Sequence, residues 1–212
     1  MGDVVIQNYG TFDSKKINAK ALDDRVGTAV VLHAMKYLCK ENIPVKCILS
    51  GDEEGVGLDV SWARLILPTY RDYCQNDVIT LLCDGVDGRN LLEFIDEREK
   101  QLLSEALLIP YTSHGKGGGD YRLFSEIRDN VIPICEKEGF KVDVTTDYVS
   151  RSFDPKIMNE FPRIVFLDWS NGEVNDQYAR CHFNETILLE QVLNLIGALF
   201  WTVKYFFDLT QT

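Results

Sequence analysis

The sequence predicts an α/β fold: a three-layer α/β/α sandwich around a mixed, mostly parallel sheet. Apolar runs of strand length alternate along the chain with longer segments in which apolar residues recur at helical spacing. No internal repeat or low-complexity stretch interrupts this alternation. A chain of 212 residues, 45% of them hydrophobic, is long enough to close one sizeable core. We therefore expect a single domain, residues 1–212, with helices on both faces of one sheet.

The first half of the chain is predicted to contain two helices and two strands. After a polar N-terminal piece, apolar residues recur at helical spacing as far as Lys40, and Pro44 separates this helix from the first strand. The second strand is a continuous apolar run that stops at Asp84-Gly85. The predicted helices are residues 26–40 and 60–67, and the predicted strands are residues 45–50 and 78–83.

The second half continues the alternation and ends in a long, largely apolar helix that we expect to be buried. An earlier helical pattern contains Pro133, where we expect a kink because proline lacks the backbone donor that a helix needs. The predicted strands are residues 107–111, 141–145 and 163–169, and the predicted helices are residues 120–138 and 186–207.

Charge and cysteine usage exclude several classes of protein. The net charge is -11, whereas nucleic acids and anionic membranes both bind basic surfaces, so neither is expected as a partner. Six cysteines are scattered without a C-x-x-C pair, mostly inside apolar runs, which is typical of reduced core thiols in a cytoplasmic protein. The N-terminus shows no signal pattern, and the longest apolar run, near residues 195–207, is too short and interrupted to span a bilayer.

The most informative stretch is the acidic turn LSGDEEGVG at residues 49–57, where a predicted strand stops in three carboxylates. Burying Glu53 beside Glu54 would raise at least one carboxyl pKa unless a cation or a proton lies between them. A metal-activated water with a carboxylate base beside it meets this requirement. The alternative is an acidic loop that faces solvent.

Other candidate ligands fall at the ends of predicted elements, where ligands collect in α/β sheets. Asp23 and Asp24 precede a helix, Asp84 follows a strand, and His182 lies in a polar loop before the last helix. Carboxylates and an imidazole form hydrolytic zinc, manganese or cobalt sites, and two metals can share one bridging carboxylate. Taken singly, each has an ordinary explanation: a helix cap for the Asp23-Asp24 pair, a turn for Asp84 and a solvated loop for His182.

The joint pattern resembles a known family of enzymes. The motifs are KALDDRVG at residues 20–27, DEEGVG at residues 52–57, LCD at residues 82–84 and CHFNET at residues 181–186. In this combination they are similar to the catalytic half of the dinuclear metallo-aminopeptidases of clan MH, closest to the glutamyl, deblocking or tetrahedral aminopeptidases. The resemblance extends over nearly the whole chain and implies that residues 1–212 form a metallopeptidase catalytic domain.

The resemblance also implies a role for each matched residue. Asp23 would bridge two metal ions, with Asp84 as a ligand of one of them. Glu54 and His182 would complete the ligands of the other ion. Glu53 would be the general base that takes a proton from the attacking water and passes it to the leaving amine. The family also holds the peptide bond after this aspartate in cis. The implied cofactors are two divalent metal ions. Zinc is the favoured ion, and cobalt and manganese are the alternatives. The implied substrate is a peptide.

Two features of the family pattern are missing. The family has a further metal ligand in a His-x-Asp motif on an early strand, followed by an inserted β-rich dimerisation domain, and neither precedes Asp23 here. We therefore expect a domain that is N-terminally incomplete relative to the family, with the second metal site short of a ligand. The other histidines are His33, expected in the core or on a helix face, and His114, expected on a flexible loop.

Two further motifs are interpreted structurally. The glycine-rich loop at residues 113–119 lacks the residue order of a phosphate-binding loop, so we interpret it as a mobile connector. The aromatic cluster FWTVKYFF at residues 200–207 recurs at helical spacing and is expected to lie in the core, with a partner-binding face as the alternative.

The sequence thus favours a metal-dependent aminopeptidase, with two alternatives. One is a related carboxypeptidase or deacylase, since the DEEG motif also occurs in that neighbouring family. The other is a non-catalytic remnant that binds a peptide, one metal ion or a partner subunit. Whether this chain is active alone is left open. Because the family builds large oligomers, a homo-oligomer is among the candidate partners.

Overall fold

Two β-sheets and a layer of helices make up the described part of the fold. The computed structural model describes residues 11–12, 16–19, 22–49, 68, 71, 79–86, 105–110, 120–145, 163–170 and 185–212. In chain order the elements are β1 (Thr11–Phe12), β2 (Lys16–Ala19), α1 (Leu22–Lys40), β3 (Thr80–Val86), β4 (Ala106–Pro110), α2 (Tyr121–Glu126), a π-helical segment (Ile127–Val131), α3 (Ile132–Lys137), β5 (Val142–Val144), β6 (Ile164–Ser170), β7 (Glu185–Leu188) and α4 (Leu189–Leu209). The helix predicted over residues 60–67 and the glycine-rich loop lie outside these ranges.

The larger sheet has the strand order β3-β6-β4-β5. β3 runs parallel to β6 and β4 runs parallel to β5, whereas β4 and β6 are antiparallel. The sheet is therefore mixed and mostly parallel, and the predicted α/β class is confirmed. The strands predicted over residues 107–111, 141–145 and 163–169 are confirmed as β4, β5 and β6.

Both faces of this sheet are buried. β6 contains four consecutive buried residues, Ile164, Val165, Phe166 and Leu167, although successive side chains of a strand point to opposite faces. Val165 and Leu167 belong to the core cluster that includes the helices. Phe166 lies on the other face, where its register partner Ile109 is also buried. A sheet covered on both faces is what a three-layer sandwich requires.

α1 has one apolar side and a capped C-terminus. Asn42 adopts the left-handed conformation (φ 59°), and the Ile43 N–H donates to the Leu38 carbonyl at 3.0 Å, which forms a Schellman motif. α1 contacts both β3 and α4. Its side toward the core carries buried residues spaced four apart: Val26, Val30, Ala34 and Leu38.

The strand predicted over residues 45–50 is wrong for the part that the structure describes. Residues 43–49 form no regular secondary structure, and Ile48 and Leu49 are 37% and 52% exposed. Pro44 has no N–H to donate to a ladder, and no described strand pairs with this segment. Among residues 45–49, only Val45 packs against the core cluster.

The helix predicted over residues 120–138 is interrupted near Pro133. The Asp120 carboxylate caps its start by accepting two first-turn N–H groups at 3.0 and 3.1 Å. In the π-helical segment, the Ile132 N–H donates to the Ile127 carbonyl, five residues back. A proline ring clashes with the carbonyl four residues before it, so a widened turn ahead of Pro133 relieves that contact. The predicted kink thus takes the form of a π-helical segment.

The last helix begins later than predicted, because residues 185–188 form β7. β7 pairs with β2, which pairs with β1, in a small antiparallel sheet that the sequence did not predict. The β-branched residues Thr186 and Ile187 favour a strand. Leu188 is still extended (φ -74°, ψ 133°), and α4 starts directly after it.

α4 is held on the sheet by two buried side-chain amides. The Gln191 Nε2 donates to the Glu105 carbonyl at 3.0 Å, and the Lys141 N–H donates to the Asn194 Oδ1 at 3.0 Å. Glu105 and Lys141 directly precede β4 and β5, and the Ala106 N–H donates to the Lys141 carbonyl at 3.1 Å. The two amides therefore satisfy backbone groups at the starts of two parallel strands.

The aromatic cluster of α4 belongs to the core, as expected. Phe206 is buried, and Phe200, Trp201, Tyr205 and Phe207 pack against the core cluster while partly exposed. Of the described helices, only α4 is long and apolar enough to cross a membrane by length and composition, a test that core helices of soluble proteins also pass.

None of the described cysteines forms a disulfide, but they do not all lie in the core. Cys135 is fully buried, and burial raises the pKa of its thiol to about 12, so the thiol stays protonated. Cys39 is exposed at the end of α1, which corrects the expectation of a core position for this residue. Cys74 and Cys181 lie outside the described residues.

Replacing Asn194 with leucine is expected to lower the free energy of unfolding by about 1–3 kcal/mol, because the part-buried Lys141 N–H loses its acceptor. Urea unfolding followed by circular dichroism measures the change. The control is Glu190→Gln, which removes the exposed ion pair of 2.6 Å between Glu190 and Lys141 and should cost less than about 1 kcal/mol. Equal losses in the two variants would contradict a structural role for the buried amide.

Gly197→Ala is expected to destabilise the protein, although alanine is the better helix former. The Phe140 ring packs directly on Gly197, and an added Cβ would lie 2.7 Å from the ring Cδ2. Overpacking of this kind costs about 1–3 kcal/mol, against a gain of about 1 kcal/mol in helix propensity. In a Phe140→Ala background the clash is absent, so the same substitution should become stabilising. Thermal unfolding of the four proteins tests this change of sign.

Candidate metal centre

Asp23 lies in the first turn of α1, and not ahead of the helix as predicted. α1 begins at Leu22, so the backbones of Asp23 and Asp24 are both helical. The first N–H groups of a helix have no intrahelical acceptor, and the helix dipole favours negative charge at this end. Two consecutive aspartates are therefore compatible with this position in the absence of any ligand.

Asp84 lies inside β3 as the fifth of its seven residues. The expectation that Asp84 follows the end of the strand, and the alternative that it lies in a turn, are therefore both wrong. In the parallel register of β3 and β6, Asp84 stands beside Asp168. Neighbouring strands are about 4.8 Å apart, so the sheet brings the backbones of two acidic residues together. Asp168 was not among the predicted site residues. The signal that pointed to it is an acidic residue inside an otherwise apolar strand.

The small sheet pairs two strands next to predicted ligands: β2 precedes Asp23 in the chain, and β7 follows His182. β2 and β7 are antiparallel, and Ala19 at the end of β2 pairs with Glu185 at the start of β7. Asp23 follows Ala19 by four residues, and His182 precedes Glu185 by three. A chain extends at most about 3.6 Å per residue, so these separations correspond to short paths. Two predicted ligands that are distant in sequence are thus attached to the same end of one strand pair.

Three of the predicted site residues, Glu53, Glu54 and His182, lie outside the described residues. For Asp23 and Asp84 the structure describes the backbone. Across the described ranges, no group of three Asp, Glu, His or Cys residues is close enough to hold a metal ion. The predicted ligand set and the catalytic role of Glu53 therefore stay predictions.

The remaining titratable candidates have structural explanations. His33 is on the exposed side of α1, with its ring centroid 5.4 Å from that of Tyr37, so the helix-face interpretation is confirmed over the core one. Burial raises the pKa of the Glu105 carboxyl ahead of β4, and the charge of Asp143 adds to this effect while Lys141 opposes it. His114 lies outside the described residues.

The beginning of the chain matches a known family model. Residues 1–63 match the model of the M42 glutamyl aminopeptidases. This part of the chain is therefore similar to the M42 family. The M42 match includes Asp23 and the Glu53-Glu54 pair, whereas Asp84 and His182 lie beyond it. No curated protein matches the chain in sequence.

Solved aminopeptidases share the fold of this chain. The TET1 peptidase of Pyrococcus horikoshii, which can assemble into a tetrahedron or a large octahedral shell, has a TM-score of 0.59 at 14% identity over 92% of this chain and 52% of its own. An aminopeptidase of the archaeon Desulfurococcus kamchatkensis has a TM-score of 0.59 at 14% identity over 92% of this chain and 51% of its own. Yeast aminopeptidase 1 has a TM-score of 0.59 at 12% identity over 96% of this chain and 50% of its own. This chain therefore spans about half the length of these proteins.

Proposed function

We propose that this chain is the catalytic portion of a metal-dependent aminopeptidase, which removes N-terminal residues from peptides. The observation that carries the proposal is the M42 match over residues 1–63, because it includes Asp23, Glu53 and Glu54. The α/β fold shared with solved aminopeptidases supports it. A hydrolase of this kind also accounts for an acidic turn in which two glutamates are adjacent.

The donor set fits two divalent metal ions. Asp23 would bridge both ions, Glu54 and His182 would complete one set of ligands, and Asp84 would hold the other ion. The backbone positions of Asp23 in α1 and Asp84 in β3, and the pairing of β2 with β7, support this arrangement. Zinc is the proposed ion, since carboxylate and imidazole ligands suit it, with cobalt or manganese as alternatives. When bound, the ions polarise the scissile carbonyl and lower the pKa of water.

Glu53 is the proposed general base. It would accept a proton from the attacking water and donate it to the leaving amine, so one carboxylate serves both proton transfers. Its neighbour Glu54 would remain ionised as a ligand. The two adjacent glutamates thus take different roles, and the positive charge near Glu54 removes the repulsion between them.

We further propose a reducing, cytoplasmic location and a homo-oligomeric assembly. The described cysteines form no disulfide and Cys135 is buried as a thiol, which supports a reducing location. The second is supported by structural neighbours that form dodecamers.

Glu53→Gln should lower kcat for hydrolysis of an aminoacyl-p-nitroanilide by about 10²–10⁴-fold, because a general base is lost. Bound metal, measured by mass spectrometry, should be unchanged. Glu136→Gln on the exposed surface of α3 is the control and should keep full activity. Wild-type turnover by Glu53→Gln would exclude this residue as the base, and metal-replete protein without peptidase activity in any assembly state would count against the aminopeptidase itself.

His182→Ala should weaken zinc binding by about 100-fold or more, since loss of a ligand should exceed the 10–100-fold effect of removing a residue that hydrogen-bonds to a ligand. Asp23→Asn should affect both ions because it would bridge them. The matched control is His33→Ala, which removes an exposed histidine of α1. Isothermal titration with zinc compares the three variants. If His33→Ala reduces binding as much as His182→Ala, the assignment of His182 as a ligand is wrong.

A further inference from the structure

Asp168 is an acidic residue in an interior strand of the larger sheet. β6 lies between β3 and β4, and the four residues that precede Asp168 in this strand are all buried. Acidic residues seldom occur in such strands without a partner, because burial of an unpaired charge is costly. A carboxylate at this place in the sheet therefore requires a specific reason.

The strand registers place Asp168 in a row without a basic residue. Asp84 of β3 stands on one side of Asp168, Leu107 of β4 stands on the other side, and Asp143 of β5 stands beyond Leu107. Residues in register share one face of a sheet. Across the four strands of the described sheet, this row thus consists of three aspartates and one leucine.

The neighbouring row on the same face is apolar. It contains Leu82, Phe166 and Ile109, and the last two are 0% and 2% exposed. Like charges directly opposite each other destabilise a sheet. Neither row supplies a basic residue beside Asp84 and Asp168, whose strands are about 4.8 Å apart. A shared cation would remove the repulsion between these two carboxylates.

Asp84 and Asp168 occupy equivalent positions in two parallel strands. Asp84 is the fifth of seven residues of β3, and Asp168 is the fifth of seven residues of β6. The carboxyl ends of parallel strands meet at one edge of a sheet, where ligands collect in α/β folds. Asp143 differs from this pair, because Leu107 separates it from Asp168 and its carboxylate accepts the Val144 N–H at 2.7 Å.

We propose that Asp168 is a ligand of the metal ion that Asp84 holds. This inference rests on the proposed function, because it adds a residue to the same metal centre. Carboxylate oxygens are suitable ligands for zinc, cobalt and manganese. Asp23 and Asp84 are the other residues assigned to this ion, so Asp168 supplies a third carboxylate. The like-charged pair in the sheet is then stabilised by the bound cation.

Zinc titration of the metal-free full chain tests the role of Asp168. Asp168→Asn keeps an oxygen but loses the charge, so binding of one of the two zinc ions should weaken at least about tenfold, the lower end of the typical effect for residues that only hydrogen-bond to a ligand. The matched control is Asp143→Asn, in the same row of the sheet, which should bind both ions as the wild type does.

The possible results separate this inference from the proposed function. If Asp168→Asn binds both ions like the wild type, or if Asp143→Asn weakens binding equally, Asp168 is not a specific ligand, and the proposed function is unaffected. If the wild type binds no zinc, both proposals are wrong.

Thermal unfolding distinguishes a ligand from a structural residue. In EDTA, Asp168→Asn should have a higher Tm than the wild type, because one of two adjacent like charges is removed. Added zinc should raise the Tm of the wild type more than that of the variant, since the wild type binds the ion more tightly. A Tm of Asp168→Asn below that of the wild type in EDTA would indicate a structural role and overturn the proposal.

Cobalt spectroscopy provides a test that does not require the asparagine variant to fold. In Asp168→Cys a thiolate would replace the carboxylate as ligand, so Co²⁺ should produce a thiolate-to-cobalt charge-transfer absorption beyond that of the wild type. Asp143→Cys is the control and should match the wild type. Circular dichroism verifies that both variants are folded. If folded, cobalt-loaded Asp168→Cys shows no additional absorption, Asp168 does not coordinate the ion.

Discussion

The described fold depends on the two amide side chains that α4 presents to the sheet. Asn194 accepts the N–H of Lys141, and Gln191 donates to the carbonyl of Glu105, at the starts of β5 and β4. A buried backbone group without a partner costs about as much as a lost hydrogen bond. The helix therefore cannot slide or rotate on the sheet without leaving both strand ends unsatisfied. Apolar packing alone would place α4 less specifically, because it is not directional.

The fixed position of α4 also affects the candidate metal centre, because α4 is directly connected to β7. β7 continues into α4 without a loop, so the position of α4 on the larger sheet also positions β7. β7 pairs with β2, and the chain after β2 enters α1 at Leu22, next to Asp23. α1 in turn contacts β3, the strand that contains Asp84. A fixed α4 thus locates the backbones of two proposed ligands, even though it carries none of them.

Where the structure agrees with the prediction, the local sequence and the tertiary environment favour the same secondary structure. The apolar strands β4, β5 and β6 were predictable because each is short and apolar where it meets the core. Residues 45–49 are equally apolar, and their pattern predicts a strand. They pair with no described strand, so the strand does not form. The sequence predicts helix for residues 186–188 of β7 because they adjoin a strongly helical segment, and only the pairing with β2 reveals a strand. Asp84 was placed at a strand end because its charge was taken to stop the strand, whereas the ladder with β6 continues past it.

The sequence by itself determined the α/β class, most helices and strands, and the set of residues proposed to bind metal, because apolar periodicity and motif order are local properties. The tertiary structure decided which of these segments pair, since hydrogen-bonding partners distant in the chain cannot be read from either strand alone. It also decided that Asp84 stands beside Asp168 and that Pro133 follows a π-helical segment. Each of these follows from contacts between residues far apart in sequence or from the exact path of the backbone, which composition does not specify.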